Sequence, residues 1–146
     1  MGRVFIAEPP ARWAARPKLV VDASLLAASV FREAQREAAE AQMKGRSLCA
    51  PALIDYELAN VALSKVRGRT ISAEDATRAL ELYVTLDIER FDADPVSALR
   101  IGESFGLTAY DAAYLWVAGQ LRAPIATFDA RVAAAAKAYL KQLPGP

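Results

Sequence analysis

The sequence predicts an α/β fold built on a parallel sheet, and three observations carry that prediction. Short apolar runs alternate with longer stretches of helical composition and period. Each return from one run to the next is long enough for the crossover that parallel strands require. The first run, within KLVVDAS at residues 18–24, stops on a carboxylate, Asp22, at the kind of strand end where open parallel sheets place their ligands.

The elements follow in order. Residues 1–17, MGRVFIAEPPARWAARP, hold three prolines and no sustained period. They read as an N-terminal extension, either a flexible tail or a segment whose Val4, Phe5, Ile6 and Trp13 pack on a surface; residues 18–146 form the single domain. Leu19, Val20 and Val21 form the first strand. Residues 24–43 lack proline and glycine and are rich in Ala, Glu, Gln and Arg, which predicts one helix ending near Gly45. Residues 47–50 give a second strand closed by Pro51. Over 52–67 a helical stripe gathers Ile54, Leu58, Val61, Ala62 and Val66 and sets Glu57 beside the core face.

Gly68 ends that helix, and Ser72 with Asp75 opens the next as a capping-box pattern. Residues 87–91 make a third strand. Asp94 followed by Pro95 starts a helix running to Gly106. Residues 108–121 form another helix, 124–127 a fourth strand and 130–140 a closing helix.

Composition narrows the chemistry. At 146 residues the chain can bury a full core without staples. Its 18 Lys and Arg nearly balance 17 Asp and Glu, so overall charge names no polyanionic or membrane partner. Histidine is absent and Cys49 is the only cysteine. That removes Ser-His-Asp and Cys-His catalysis and imidazole-bound zinc. A metal held here is held by carboxylates, and such a shell suits hard ions such as Mg²⁺ or Mn²⁺. Cys49, in SLCAPAL, reads as a buried structural thiol. No apolar stretch reaches membrane-spanning length, and the expected location is cytoplasmic.

Four carboxylates stand at strand ends, helix starts or beside the core: Asp22, Glu57, Asp111 and Asp129. Each also has a purely structural reading. Asp22 or Ser24 can cap the first helix, TAYD can make Asp111 part of a capping box, Asp129 can be an N-cap, and Glu57 can be a half-exposed helix acid. Two carboxylates about 4 Å apart repel by roughly 4 kcal/mol at an effective dielectric near 20. Convergence of these acids on one sheet edge would therefore call for a divalent cation, which can orient and deprotonate water for phosphodiester hydrolysis.

LVVDAS around Asp22, YELANVAL around Glu57, LTAYDAAYLWVA around Asp111 and IATFDARV around Asp129 occur in this order over residues 18–140. In this the sequence resembles the PIN-domain ribonucleases, most closely VapC toxins of toxin-antitoxin modules. The resemblance implies a three-layer α/β/α sandwich with a central parallel sheet, and a Mg²⁺- or Mn²⁺-dependent endoribonuclease acting on RNA. It also implies a cognate VapB-like antitoxin, a homodimer, and a groove among the early helices for an antitoxin segment, with Leu25, Leu26, Val30 and Phe31 either lining it or lying in the core. Asp22, Glu57, Asp111 and Asp129 would form the acidic metal site, with Ser24 and Thr127 supporting the carboxylates or acting as plain cap and strand-end residues. The extension before Asp22 departs from the family's usual early first aspartate.

Lys44 with Arg46, and Lys65, Arg67 and Arg69, are basic clusters that either hold RNA phosphates or simply sit at solvated helix ends. Two other readings compete with the toxin: a PIN nuclease in RNA processing, and a non-catalytic α/β binding domain. A phosphoacceptor receiver or a dehalogenase-type phosphatase fits less well, because Ala23 and Ser24 stand where those folds want a second acid.

Overall fold

The computed structural model describes residue 5, residue 7 and residues 15–145. Most of the N-terminal extension thus lies outside the described residues. Four parallel strands, β1 (Lys18–Val21), β2 (Ser47–Pro51), β3 (Ile88–Phe91) and β4 (Ile125–Ala126), form one sheet in the order β3-β2-β1-β4. Val20 of β1 pairs with Cys49 on one side and Ile125 on the other. The carbonyl of Pro17 already accepts from the amide of Ser47, at 3.0 Å.

The connections are α1 (Ala23–Val30) and α2 (Arg36–Met43) after β1, then α3 (Ile54–Arg67) and α4 (Ala73–Thr85) after β2. α5 (Pro95–Phe105) and α6 (Ala109–Leu121) follow β3, and α7 (Ala130–Gln142) follows β4. Moving from β1 to β2 to β3 and then back to β4, right-handed crossovers put α1–α4 on one face and α5–α6 on the other. The packing agrees: α1 meets α2, α3 and α4, while α6 meets α5 and α7. The sheet and its flanking helices form one core around Val20, Val21, Leu26, Ile54, Leu58 and Tyr114. A second cluster, with Ile101, Leu115 and Val132, fills the space between α5, α6 and α7. Gly119 permits that close approach, since a Cβ there would lie 2.8 Å from Tyr139 Oη.

Sequence-level caps hold where a side chain has a specific amide to accept. Ser72 Oγ accepts from Asp75 N at 3.0 Å, and Asp94 caps α5 with Pro95 in the first turn. Gly106 closes α5 in the left-handed region at φ 65°, which a residue without Cβ adopts at no steric cost.

One expectation is corrected, and one left between two readings is decided. The single helix over 24–43 is two helices, broken at Phe31, where Arg32 takes φ 53°. The apolar front of the stretch is buried in the sheet-facing layer, whereas its polar back buries only Ala39. One straight rod cannot serve both; the left-handed residue turns α2 so that Ala39 meets the core. Helix propensity alone does not register this tertiary demand. Of the two readings of Leu25, Leu26, Val30 and Phe31, groove lining or core, the structure bears out the core. The first three are at most 5% exposed and Phe31 packs against the same core, so they belong to the interior. β4 is also shorter than the expected 124–127.

Among the described residues, no helix is long and apolar enough to cross a membrane. Cys49 is fully buried, and burial pushes its thiol pKa up, in keeping with a structural role.

Candidate active site

The strand order places a topological switch point between β1 and β4, whose carboxyl ends open the crevice typical of ligand binding in such sheets. Asp22 follows β1 directly and is 8% exposed. It caps α1: its Oδ1 accepts from Leu25 N at 3.0 Å and from Ser24 Oγ at 2.7 Å. Its Oδ2 accepts from Thr127 Oγ1, across the switch point. Ser24 Oγ in turn accepts from Phe128 N at 3.0 Å, and Thr127 Oγ1 from Asp129 N at 2.9 Å. A run of hydrogen bonds thus ties the end of β1 to the residues after β4 and fixes the Asp22 carboxylate in one orientation.

Glu57 comes from the first turn of α3, which begins just past the carboxyl end of β2. Tyr114 Oη donates to Glu57 Oε1 at 2.8 Å. α6 leads back into parallel β4, so its N-terminus also lies at the carboxyl edge, and Tyr114 meets Glu57 there. Burial raises the Glu57 pKa; the Tyr114 hydrogen bond opposes that rise, and the negative charges of Asp111 and Asp22 add to it. The Tyr114 phenol is itself driven strongly upward, by burial first and then by the Glu57 charge, so it remains a donor.

Asp111 makes half of a capping box: its backbone N donates to Thr108 Oγ1 at 3.1 Å. Its carboxylate faces Arg131, with Nη2 at 3.5 Å from Oδ2. Asp129 caps α7, its Oδ1 accepting from Arg131 N at 2.9 Å and Val132 N at 3.1 Å. The edge therefore carries Glu57 within electrostatic reach of both Asp111 and Asp22, with Asp129 on the loop bonded to Asp22's partners.

An all-oxygen donor set fits a hard divalent cation. So does the charge balance: among the described residues, Arg131 is the cation that pairs with these acids, and it touches Asp111 alone. The side chains do not form a ready cage, since among the described residues no three Asp, Glu or Cys groups are already gathered around one point. Several of their oxygens are engaged by hydroxyls, amides or Arg131.

The basic clusters lie elsewhere. α3 carries Glu57 at its start and Lys65 and Arg67 in its last turn, about 15 Å away along the axis. Lys65 pairs with Glu33 at 2.9 Å and stands over the Phe31 ring. Lys44 and Arg46 line a groove of ≈ 900 Å³ at the amino edge of the sheet, together with Arg16, Lys18, Met43 and Leu82. That groove is remote from the acids.

Sequence reasoning missed Tyr114 and Arg131. A tyrosine within the otherwise apolar AYLWVA was the available signal for the first, because a buried phenol must find a partner. For Arg131 the sequence holds no signal beyond its place two residues after Asp129.

Residues 19–138 match the family model described as PIN domain. The chain is 31% identical over 121 residues to ribonuclease VapC3 of Pyrobaculum aerophilum, covering 80% of this chain and 92% of that protein. It is 32% identical over 117 residues to ribonuclease VapC9 of Mycobacterium tuberculosis, covering 78% and 87%. Among solved structures, PAE2754 from P. aerophilum superposes with a TM-score of 0.66 at 22% identity, over 90% of this chain and 94% of that one. M. tuberculosis VapC20, described as a sarcin-ricin-loop-cleaving toxin, gives 0.59 at 16% identity, over 80% and 94%. The matched span covers the sheet, the switch-point edge and all four acids, and the chain belongs to the PIN-domain family, among the VapC ribonucleases.

Proposed function

We propose that this protein is the toxin of a type II toxin-antitoxin module, a Mg²⁺- or Mn²⁺-dependent endoribonuclease whose site is formed by Asp22, Glu57, Asp111 and Asp129. The observation that carries the reading is that Glu57, at the switch-point edge, feels the negative charges of both Asp111 and Asp22, while Arg131 pairs with Asp111 alone among the described residues. Kinship with proteins named VapC ribonucleases supports RNA as substrate.

Asp22 and Asp111 would hold the metal directly, and Glu57 and Asp129 directly or through water. When bound, a divalent cation offsets the clustered negative charge, makes water more acidic and stabilises charge on phosphoryl oxygens. Ser24 and Thr127 keep Asp22 oriented through the bonds described above. Glu57, with its raised pKa, is suited to take the proton of the attacking water. Water oxygen adds to phosphorus, the proton passes to Glu57, and the bond from phosphorus to the leaving ribose oxygen breaks. Arg131 is placed to leave Asp111 for a phosphate oxygen, where its planar guanidinium pairs well.

In this reading the catalytic domain spans 18–146 behind an N-terminal extension, and the protein works in the cytoplasm as a homodimer. A VapB-like antitoxin segment takes the groove bordered by Val30, Met43, Leu48, Leu82 and Leu86. Purified protein should cut RNA with Mg²⁺ or Mn²⁺, and lose cutting with chelator and in Asp22→Asn and Asp111→Asn. Asparagine at position 22 keeps a good N-cap, so a folded variant is expected. Full activity in both folded variants would refute the site. Induced expression that leaves growth unchanged would refute the toxin role.

A further inference from the structure

We propose that the groove at the amino edge of the sheet is a docking site for the chain's own residues 11–14, with the Trp13 indole as the group it takes. The groove encloses ≈ 900 Å³ and is remote from the acids. Its apolar wall comes from Val30 of α1, Met43 of α2, Leu48 of β2, Leu82 of α4 and Leu86 just after α4. Met43, Leu48 and Leu86 also pack against the main core, while Leu82 is 50% exposed. An apolar wall that continues the core and stays open on one side is the kind of surface a large ring covers.

Chain connectivity brings Trp13 to this wall. The Pro17 carbonyl accepts from Ser47 N at 3.0 Å, which fixes the chain at the start of β1. Immediately upstream, Ala15 and Arg16 themselves line the groove. Trp13 is two residues before Ala15, a span of at most about 7 Å of extended chain. Pro17 biases Arg16 toward extended backbone, and along an extended chain residues two apart share a face. Residues 1–17 hold two aromatic side chains, Phe5 and Trp13. Phe5 is 83% exposed, so the ring next to the groove is the occupant.

Burial of the indole, and not charge, holds the segment. On the groove Lys18 and Arg36 are paired with Glu89 and Glu40. Lys44 and Arg46 also line it, and the segment brings a further cation, Arg12. Tryptophan offers the largest apolar area of any side chain at little cost in rotamer freedom. A short tether raises its effective concentration to the millimolar range, so a modest contact is enough to fill the groove. A partner segment that takes the same groove must first displace Trp13. That consequence rests on the toxin-antitoxin reading, whereas the seating of Trp13 does not.

The test reads Trp13 fluorescence in the full chain carrying Trp116→Phe, which leaves one indole of the two in the sequence; thermal melting checks that the variant is folded. Acrylamide quenching of Trp13 should be at least about threefold weaker than in a synthetic peptide of residues 1–17, since a tether at millimolar effective concentration keeps most molecules seated. The protection should be unchanged on dilution. Adding Leu82→Glu, at a half-exposed helix position where a charge is tolerated, should restore quenching like that of the peptide. Peptide-like quenching in the folded Trp116→Phe chain would overturn the proposal and leave the groove to a partner. Protection that fades on dilution would overturn it by assigning the segment to a second copy's groove. Protection that survives both Leu82→Glu and Met43→Glu would overturn it by placing the ring elsewhere. None of these readouts involves RNA, so they stand or fall apart from the ribonuclease reading.

Discussion

Two carboxylates on one helix, Asp55 and Glu57, meet opposite fates. Asp55 accepts from Arg90 Nε and Nη2 at 2.8–3.0 Å and from Tyr83 Oη at 2.6 Å. The Arg90 guanidinium holds its pKa below the usual carboxylate value, and Tyr83, mainly through burial and then through Asp55, is pushed up to about 12. This clamp joins α3 to α4 and β3. Glu57, two residues on, has a phenol for a partner and two other carboxylates nearby, and its pKa moves the other way. Asp55 is neutralised by the protein for the sake of the fold. Among the described residues the charge of Glu57 has no paired cation, as expected where function needs a charge to interact with something else.

The comparison is broken or sharpened by substitution. The largest expected effect is on activity: Glu57→Gln should lower RNA cleavage by roughly 10² or more, the usual contribution of a general base, whereas Asp55→Asn should cut RNA within about threefold of wild type. Equal losses in the two would erase the distinction. Next is stability, measured by denaturant or thermal melting. Asp55→Asn leaves Arg90 unpaired and should cost about 1 kcal/mol, the bidentate geometry being offset by solvent screening at a half-exposed pair. Glu57→Gln keeps an acceptor for Tyr114 and removes a repelled charge, so in chelator it should melt at or slightly above wild type, by a few tenths of a kcal/mol.

The smallest effect is in pH dependence, and its sign differs at the two sites. Asp55 has a folded pKa below its ordinary 3.8, so its contribution is present above that value and is lost as pH falls through the folded pKa. Glu57 has a folded pKa above its ordinary 4.5, so the native state binds more protons and stability declines as pH rises through the raised value. The stability difference between Glu57→Gln and wild type in chelator should therefore be absent below pH 4.5 and open as pH rises. A difference that is constant across the range would show that Glu57 is not perturbed.

Much of the fold could be read from local signals. Asp22 at a strand end, Ser72–Asp75, Asp94–Pro95 and Thr108 each announce an element boundary through short-range hydrogen bonding. The break at Arg32 could not be read, because it answers to where the sheet sits relative to Ala39. The positions of Asp22, Glu57, Asp111 and Asp129 were legible as candidates, since each falls at an edge that the crossover pattern defines. Their pairings were not. Tyr114 to Glu57 spans 57 residues and Thr127 to Asp22 spans 105, and contacts at such separation arise from topology. The Asp55–Arg90–Tyr83 clamp escaped for the same reason, and Asp55 looked no different in sequence from its neighbour Glu57.

The central claim is that the switch-point acids hold a divalent cation while Asp55 does not take part, and calorimetric titration of the folded protein with Mn²⁺ tests it directly. Wild type and Asp55→Asn should bind with similar affinity, and Asp111→Asn should lose the binding heat. Undiminished Mn²⁺ binding by Asp111→Asn, or no binding by wild type, would contradict the account.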